Sequence, residues 1–352
     1  MKFTFSAPGR CGIVGNPTDM YGGSVISCST RERAYVTIED NDNLEIVVEG
    51  NLRSIRKPQD FRQDGGMFDA VLAALEYFEL EEAPLRITVS SEIPVRAGLS
   101  GSTAILTALV AALLEWMNAK GCFLEGKSAW SVRAYNNSYM LAETVRHIEL
   151  YFLKIVCGYQ DAYMCTFGSL RFLDFHGKEN YLSLDREPLG SVEDLAPFSP
   201  PLPIVLAHTG VQRVSGSVHK PVRDRWLEGD PLVVKGVLRI AHIARMAKKA
   251  ILSGDWGLLG EAMTENHEIV RSFGSSSEIN EKVIRIALDS GAIAAKLAGA
   301  GNGGTIIALH PEPEKMAQVL GEKGVGLVLF PEPTEGLRRE KEDTDGRFER
   351  KG

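Results

Sequence analysis

Cysteine is scarce in this chain of 352 residues. Five are present, Cys11, Cys28, Cys122, Cys157 and Cys165, an odd number with no CxxC pair. That excludes a disulfide framework and a thiolate zinc site, and it predicts reduced thiols in a cytoplasmic protein. The seven histidines contain no HExxH, so the helix-borne zinc hydrolase arrangement is missing. Positive charge is in deficit: 39 Lys and Arg stand against 46 Asp and Glu, a net charge of -7. A general nucleic-acid binder needs a basic face, so that partner is excluded, while a local basic pocket for a small anion is not. The longest strongly apolar run, residues 104–114, is too short to span a bilayer and reads as a buried helix. The opening MKFTFSAPGR lacks the apolar stretch and cleavage site of a signal peptide.

What is present is an ordinary globular composition, 44% hydrophobic and 24% charged, in a chain long enough for two cores. Strand patterns dominate the start, and Leu85, Ile87 and Val89 continue them. Helical patterns cover residues 67–78, 102–117 and 129–153, with a strand at 169–175. The proline-dense PFSPPLP at 197–203 can continue neither a helix nor a central strand, and it is the best domain boundary. Beyond it the expected order is a strand at 204–207 and helices over 231–252 and 258–271. A third helix runs from Ser275, where Ser275 and Glu278 have capping-box spacing, to about Ser290. The strand TIIAL, a helix and a last strand near 326–330 follow. The stripe Lys235, Arg239, His242 and Lys249 reads as a solvated helix face. These patterns predict an α+β protein with domains at 1–199 and 200–337 and a charged, disordered tail at 338–352.

Three glycine-rich stretches carry the chemistry. PVRAGLSGSTA at 94–104 runs straight into an apolar helix. A glycine/serine loop opening a helix presents free N–H groups and the positive end of the helix dipole, which suits a phosphate. The hydroxyls of Ser100, Ser102 and Thr103 can donate to phosphate oxygens or ligate a cation. SAPGRCGIVGNPTDMYGGS at 6–24 joins a strand end to Arg10, Asn16 and Asp19. KLAGAGNGGTIIAL at 296–309 satisfies GxGxxG, but a helical pattern precedes it and a strand follows. The dinucleotide fingerprint needs the reverse order, so a Rossmann dehydrogenase is disfavoured. Each stretch taken alone also reads as a capped helix or a tight turn.

In order, spacing and content the three stretches resemble the motifs of the GHMP kinases, the family of galactokinase, homoserine kinase, mevalonate kinase and phosphomevalonate kinase. APGRCGIVGNPTD resembles motif one, PVRAGLSGSTA motif two and KLAGAGNGG motif three. Two departures stand out: Ser100 and Gly101 occupy positions where the family has Gly then Ser, and Asn302 replaces a Gly. A finer likeness, in GNPTDMYGG, AGLSGSTAI and VHKPVRDRWLEGD, is to glucuronokinase-like sugar-1-kinases.

The resemblance implies a ribosomal protein S5 domain 2-like N-terminal domain and a ferredoxin-like C-terminal domain, with ATP and Mg²⁺ between them. It implies catalytic roles for Asp161 and Arg10, and nucleotide contacts from Pro94, Ala97, Gly98, Leu99, Ser100, Gly101, Ser102 and Thr103. It implies acceptor contacts from Asn16, Asp19, Tyr21, Gly299, Gly301 and Gly303, and metal ligation by Ser102 and Glu149, with Glu143 the competing carboxylate. The expected reaction is phosphorylation of a sugar, first of all the anomeric hydroxyl of a uronic acid such as glucuronate. Another sugar, a heptose phosphate or a mevalonate-type alcohol is the alternative. A non-catalytic sensor is disfavoured by the joint presence of Arg10, Ser102, Glu149 and Asp161. A superfamily decarboxylase is disfavoured by the sugar-like GNPTD. A uronate needs a cation, and Arg31, Arg33, Arg213 and Arg223 stay open. The expected partners are ATP and a small sugar, with no nucleic acid and no membrane, in a monomer or homodimer.

Overall fold

The computed structural model describes residues 1–122, 129–178, 186–211, 215–299, 301 and 303–341. The alternating runs of the N-terminus form β1 (Lys2–Val14) and β2 (Ser24–Asp40), paired antiparallel with Phe3 opposite Ile38 and Cys11 opposite Cys28. β3 (Leu44–Val48), β4 (Asn51–Ile55), β5 (Leu85–Ser91), β6 (Leu170–Asp174) and β7 (Ser191–Asp194) extend this sheet. From β1 the order is β2, β5, β3, β4, with β3 parallel to β5, while β6 pairs the first residues of β2 and carries β7. The second sheet is antiparallel throughout. It contains β8 (Ile204–His208), β9 (Ala294–Leu297), β10 (Thr305–Leu309) and β11 (Leu327–Leu329), in the order β11, β8, β10, β9.

The helices that matter to the first sheet are α1 (Asp69–Phe78), α2 (Gly101–Lys120), α3 (Ala129–Asn136), α4 (Ser138–His147) and α5 (Gln160–Phe167). α2 is long and apolar enough to cross a bilayer, but 72% of that window is buried inside the protein. Apolar on every side, it is the central rod of the first core, lying on β1 and β2. α6 (Ser215–Leu227), α7 (Pro231–Ser253), α8 (Trp256–Ser272), α9 (Glu278–Asp289) and α10 (Pro313–Glu322) accompany the second sheet. Strand alternation splits that sheet between two cores. Val205, Ala207, Ile306 and Ala308 face α9 and α10. Ile204, Leu206, Ile307 and Leu309 join Ala244, Ala247 and Met263 of α7 and α8 in one core continuous with the first sheet. The expected solvated stripe of α7 is exposed, and Arg239 forks onto Glu265 of α8 at 2.6 and 2.8 Å.

Three expectations are corrected. The helix expected over 129–153 is broken at Asn137, whose extended backbone and side chain cap α4 by accepting from Tyr139 and Met140 N–H. A π-turn over Ile148–Phe152 then ends it. The capping box of α9 is Ser277 with Asn280, two residues later than the Ser275–Glu278 pair. The charged tail does not begin at 338. Arg338 and Arg339 form β12, pairing with Ser6 and Phe5 on the outer edge of β1, and Glu340 N–H donates to Thr4 O at 2.9 Å. An open strand edge needs backbone partners, and this segment supplies them despite its composition. Residues 342–352 lie outside the described residues.

Candidate active site

The motif-one strand β1 passes between the other two glycine-rich loops. Arg10 N–H donates to Leu99 O at 3.1 Å on one side, and Gly12 N–H donates to Ala298 O at 2.9 Å on the other. A Cβ on Gly12 would stand 3.0 Å from both Ala298 O and Gln160 Nε2, so the approach needs glycine. Thr305 Oγ1 of β10 donates to Ala97 O at 2.9 Å and ties motif two to motif three directly. The 94–100 loop is thus held from behind by its carbonyls, and the first-turn N–H groups of α2 have no carbonyl four residues back. Ser100 sits at φ 62°, in the left-handed region, and its buried Oγ has no hydrogen-bond partner among the described residues. The exchange of Ser and Gly noted in the sequence places the side chain on the residue whose backbone favours glycine.

Arg10 is buried, and all three arms of its guanidinium are engaged. Nε and Nη2 donate to Asp161 Oδ1 at 2.8 and 2.5 Å, and Nη1 donates to Gly98 O at 2.8 Å. Burial opposes the charge, but the attraction of Asp161 and its hydrogen bonds outweigh it, so the guanidinium is held above its usual range. Asp161 belongs to the first turn of α5 and is partly open to solvent. The start of that helix is capped by a distant residue. Asp19 Oδ2 accepts from Tyr159 N–H at 2.8 Å and Gln160 N–H at 2.9 Å. Burial pushes the Asp19 carboxyl up even so. Motif one therefore fixes both the arginine that meets Asp161 and the helix that carries it.

Glu149, on the π-turn after α4, is buried and accepts from Thr103 Oγ1 at 2.6 Å. Burial raises its carboxyl to about 7, the nearby Asp161 charge adds to this, and the Thr103 hydrogen bond opposes it. Ser102, the residue before Thr103 on the first turn of α2, is exposed. Glu143 lies elsewhere. It pairs with buried Lys178 at 2.8 Å and accepts from the Tyr163 hydroxyl, in a cluster that also pairs Lys178 with Glu187. The buried ammonium of Lys178 compensates its charge.

Of the residues expected to contact the acceptor, Asn16 donates through Nδ2 to Gly299 O at 3.1 Å, and Tyr21 packs on Trp226 of α6 with ring centroids 4.7 Å apart. Gly301 and Gly303 both have positive φ, and a Cβ on Gly301 would fall 1.9 Å from Ser275 O. The space a side chain would need at these two glycines is taken by the protein itself, by Ser275 at Gly301 and by Val211 at Gly303. Motif three lies between strands β9 and β10, so the helical pattern expected ahead of it is in fact a strand. Asn302 is outside the described residues.

Several residues were missed from sequence. Asn280 of α9 brackets Gly303, accepting from its N–H at 2.8 Å and donating to its carbonyl at 3.1 Å. Asn266 of α8 brackets motif one in the same way, through Gly15 N–H at 2.9 Å and Asn16 O at 3.1 Å. Lys296 of β9, wholly buried, donates to Gly12 O, Asn16 Oδ1 and Leu297 O at 3.4, 2.9 and 2.6 Å. Only the adjacency of Lys296 to the glycine loop was a usable signal; the two asparagines sit on ordinary amphipathic helices.

Known proteins share this fold. The family model of the GHMP kinases N terminal domain matches residues 67–169, and that of GHMP kinases C terminal matches residues 247–324. Glucuronokinase 1 of Arabidopsis thaliana is 28% identical, covering 92% of this chain and 89% of its own length. A mevalonate kinase of Pyrococcus horikoshii is 27% identical over 96% and 97%. Among solved structures, Lactococcus lactis galactokinase complexed with galactose aligns with a TM-score of 0.73 at 17% identity, covering 96% of this chain and 95% of that one. Streptococcus pneumoniae phosphomevalonate kinase, in complex with phosphomevalonate and AMPPNP, aligns with a TM-score of 0.70 at 13% identity over 96% and 99%. The two family models together span just over half of the chain, one on each side of the meeting point of the three loops, and the chain belongs to the GHMP kinase family of ATP-dependent phosphotransferases with an alcohol group as acceptor.

Proposed function

We propose that this kinase transfers the γ-phosphate of ATP to the anomeric hydroxyl of a uronic acid such as glucuronate, giving the sugar 1-phosphate. The observation that carries the reading is the Arg10–Asp161 pair at the junction of the three glycine-rich loops. Asp161 is partly open to solvent, and a carboxylate so placed can take the acceptor proton. As the acceptor oxygen bonds to the γ-phosphorus, its proton passes to Asp161, the bond from that phosphorus to the bridging oxygen breaks, and ADP leaves. Arg10 keeps Asp161 ionised and offers positive charge to the transferring phosphoryl group. The loop from Pro94 to Thr103, opening α2, cradles the other phosphates.

The donor set beside the start of α2 is made of hard oxygens: the Glu149 carboxylate and the hydroxyls of Ser102 and Thr103. It fits Mg²⁺, which takes one or two carboxylates and shares its remaining positions between phosphates and water. On this reading Ser102 and Glu149 hold the ion while Thr103 orients Glu149. When bound, the ion neutralises charge on the ATP phosphates. Asn16, Asp19 and Tyr21 line the acceptor side, and the sugar-like GNPTD segment and the glucuronokinase relatives at 28% identity support a sugar there. The test is an ATP-consumption assay over glucuronate, galacturonate, neutral hexoses, a heptose phosphate and mevalonate. The product is then identified by its acid lability and by phosphorus NMR coupling to the anomeric proton. Turnover confined to mevalonate, or phosphate on a primary alcohol, would overturn the sugar-1-kinase reading and leave the family intact.

A further inference from the structure

A uronate differs from a hexose by one carboxylate, and the four arginines left open by the sequence have different fates in the fold. Arg31 is on the outer surface and pairs with Glu332 at 2.9 Å. Arg33 is buried and saturated, donating to Ser6 Oγ, Ser6 O, Glu335 O and Gly336 O between 2.6 and 3.0 Å. Arg213 lies outside the described residues. Arg223 is on α6, three residues before Trp226 and so on the same face of the helix.

That face meets the acceptor side of the site. Trp226 packs on Tyr21, and Tyr21 closes the short turn Thr18–Tyr21 that contains Asp19. Burial raises the Tyr21 hydroxyl pKa, the charges of Asp19 and Asp224 add to it and the Arg223 charge opposes it, so Asp19, Tyr21, Arg223 and Asp224 share one small region. Asp19 in turn caps the helix whose first turn holds Asp161. Arg223 is partly accessible. Its Nη2 reaches only the neighbouring Asp224, at 3.2 Å, and its buried Nε has no hydrogen-bond partner among the described residues. A buried guanidinium N–H without an acceptor is unfavourable, and an incoming carboxylate supplies one in the two-point geometry that arginine prefers.

We propose that Arg223 of α6, beside Tyr21, reads the carboxylate of the acceptor sugar and selects uronates over neutral sugars. The inference rests on the sugar-kinase reading above and adds the residue that sets its specificity.

The experiment compares glucuronate with glucuronamide, which keeps the ring and the free anomeric hydroxyl but has no charge, in the wild type, Arg223→Gln and Arg223→Lys. The wild type should prefer glucuronate in kcat/KM by about 10- to 100-fold, the range of a charge-assisted hydrogen bond. Arg223→Gln should abolish the preference through KM for glucuronate, and Arg223→Lys should restore part of it. KM for ATP and the melting temperature should stay unchanged. A wild type that prefers glucuronate alongside an Arg223→Gln variant that keeps the preference within about threefold overturns Arg223 while the function stands. Equal use of the two sugars by the wild type also overturns Arg223 but leaves a sugar kinase. Failure on both sugars, with turnover of another acceptor, overturns the function and this inference together. Parallel losses toward ATP and both sugars would assign Arg223 a structural role only.

Discussion

Ser100 and Asp161 show two kinds of residue-level tension at the site. Ser100 holds a left-handed backbone that disfavours a side chain, and it buries a hydroxyl with no partner among the described residues. Ser100→Gly relieves both and should raise stability by about 1 kcal/mol, seen as a higher melting temperature. If the hydroxyl meets an ATP phosphate, the same variant should show a higher KM for ATP, the trade expected where strain is kept for function. Unchanged stability would show that the backbone there is not strained. Asp161→Asn keeps the shape but loses charge and basicity, so kcat should fall by about 10²–10⁴ with KM for ATP little changed. A single-turnover rate within about threefold of wild type would remove Asp161 from the chemistry.

At the scale of elements, the loops are held by one another's backbone and also by side chains from elements remote in sequence. α5 starts where it does because Asp19 caps it, and motif three holds its shape because Asn280 of α9 binds both polar groups of Gly303. Asn280→Ala leaves that N–H and carbonyl unpaired in the interior, at a cost of about 1–3 kcal/mol. The expected result is a lower melting temperature together with weaker acceptor or nucleotide binding. A variant with wild-type melting and kinetics would show that the loop is held by other contacts. Such anchors are hard to find in a sequence because a buried asparagine on an amphipathic helix looks like any polar residue near its margin. The break at Asn137 was similarly hidden, since the apolar spacing continues through it.

At the scale of the whole molecule, Lys296 bridges the two sheets: it belongs to β9 and donates to Gly12 and Asn16 of motif one. Burial lowers its pKa to about 7 from an ordinary value of 10.5. The ionised Cys11 thiol would oppose this but is itself pushed up to about 11, and Arg10 adds to the depression. Between those two values the unfolded chain binds a proton that the folded one releases, so this group makes stability rise with pH from about 7 to 10. The difference in unfolding free energy between wild type and Lys296→Met should therefore grow in favour of wild type, with a slope of at most about 1.4 kcal/mol per pH unit. Denaturant titrations at three or four pH values measure it, and a flat difference would mean that the ammonium stays charged throughout.

The α+β class, the three glycine-rich loops and the resemblance to the GHMP kinases were legible in the residues, because glycine-rich loops and strand patterns are local and are written in consecutive positions. Proximity was not. Sequence spacing cannot say that Glu149 meets Thr103 while Glu143 is neutralised by Lys178, since both glutamates sit within one turn or two of the same helical stretch. Nor could composition reveal that Arg338 and Arg339 complete the edge of β1, because a charged segment gains a strand only where an open edge is waiting. The choice of Arg223 over Arg31 and Arg33 follows the same rule. All three are cations in sequence, and only packing decides which one is already satisfied and which one faces the site.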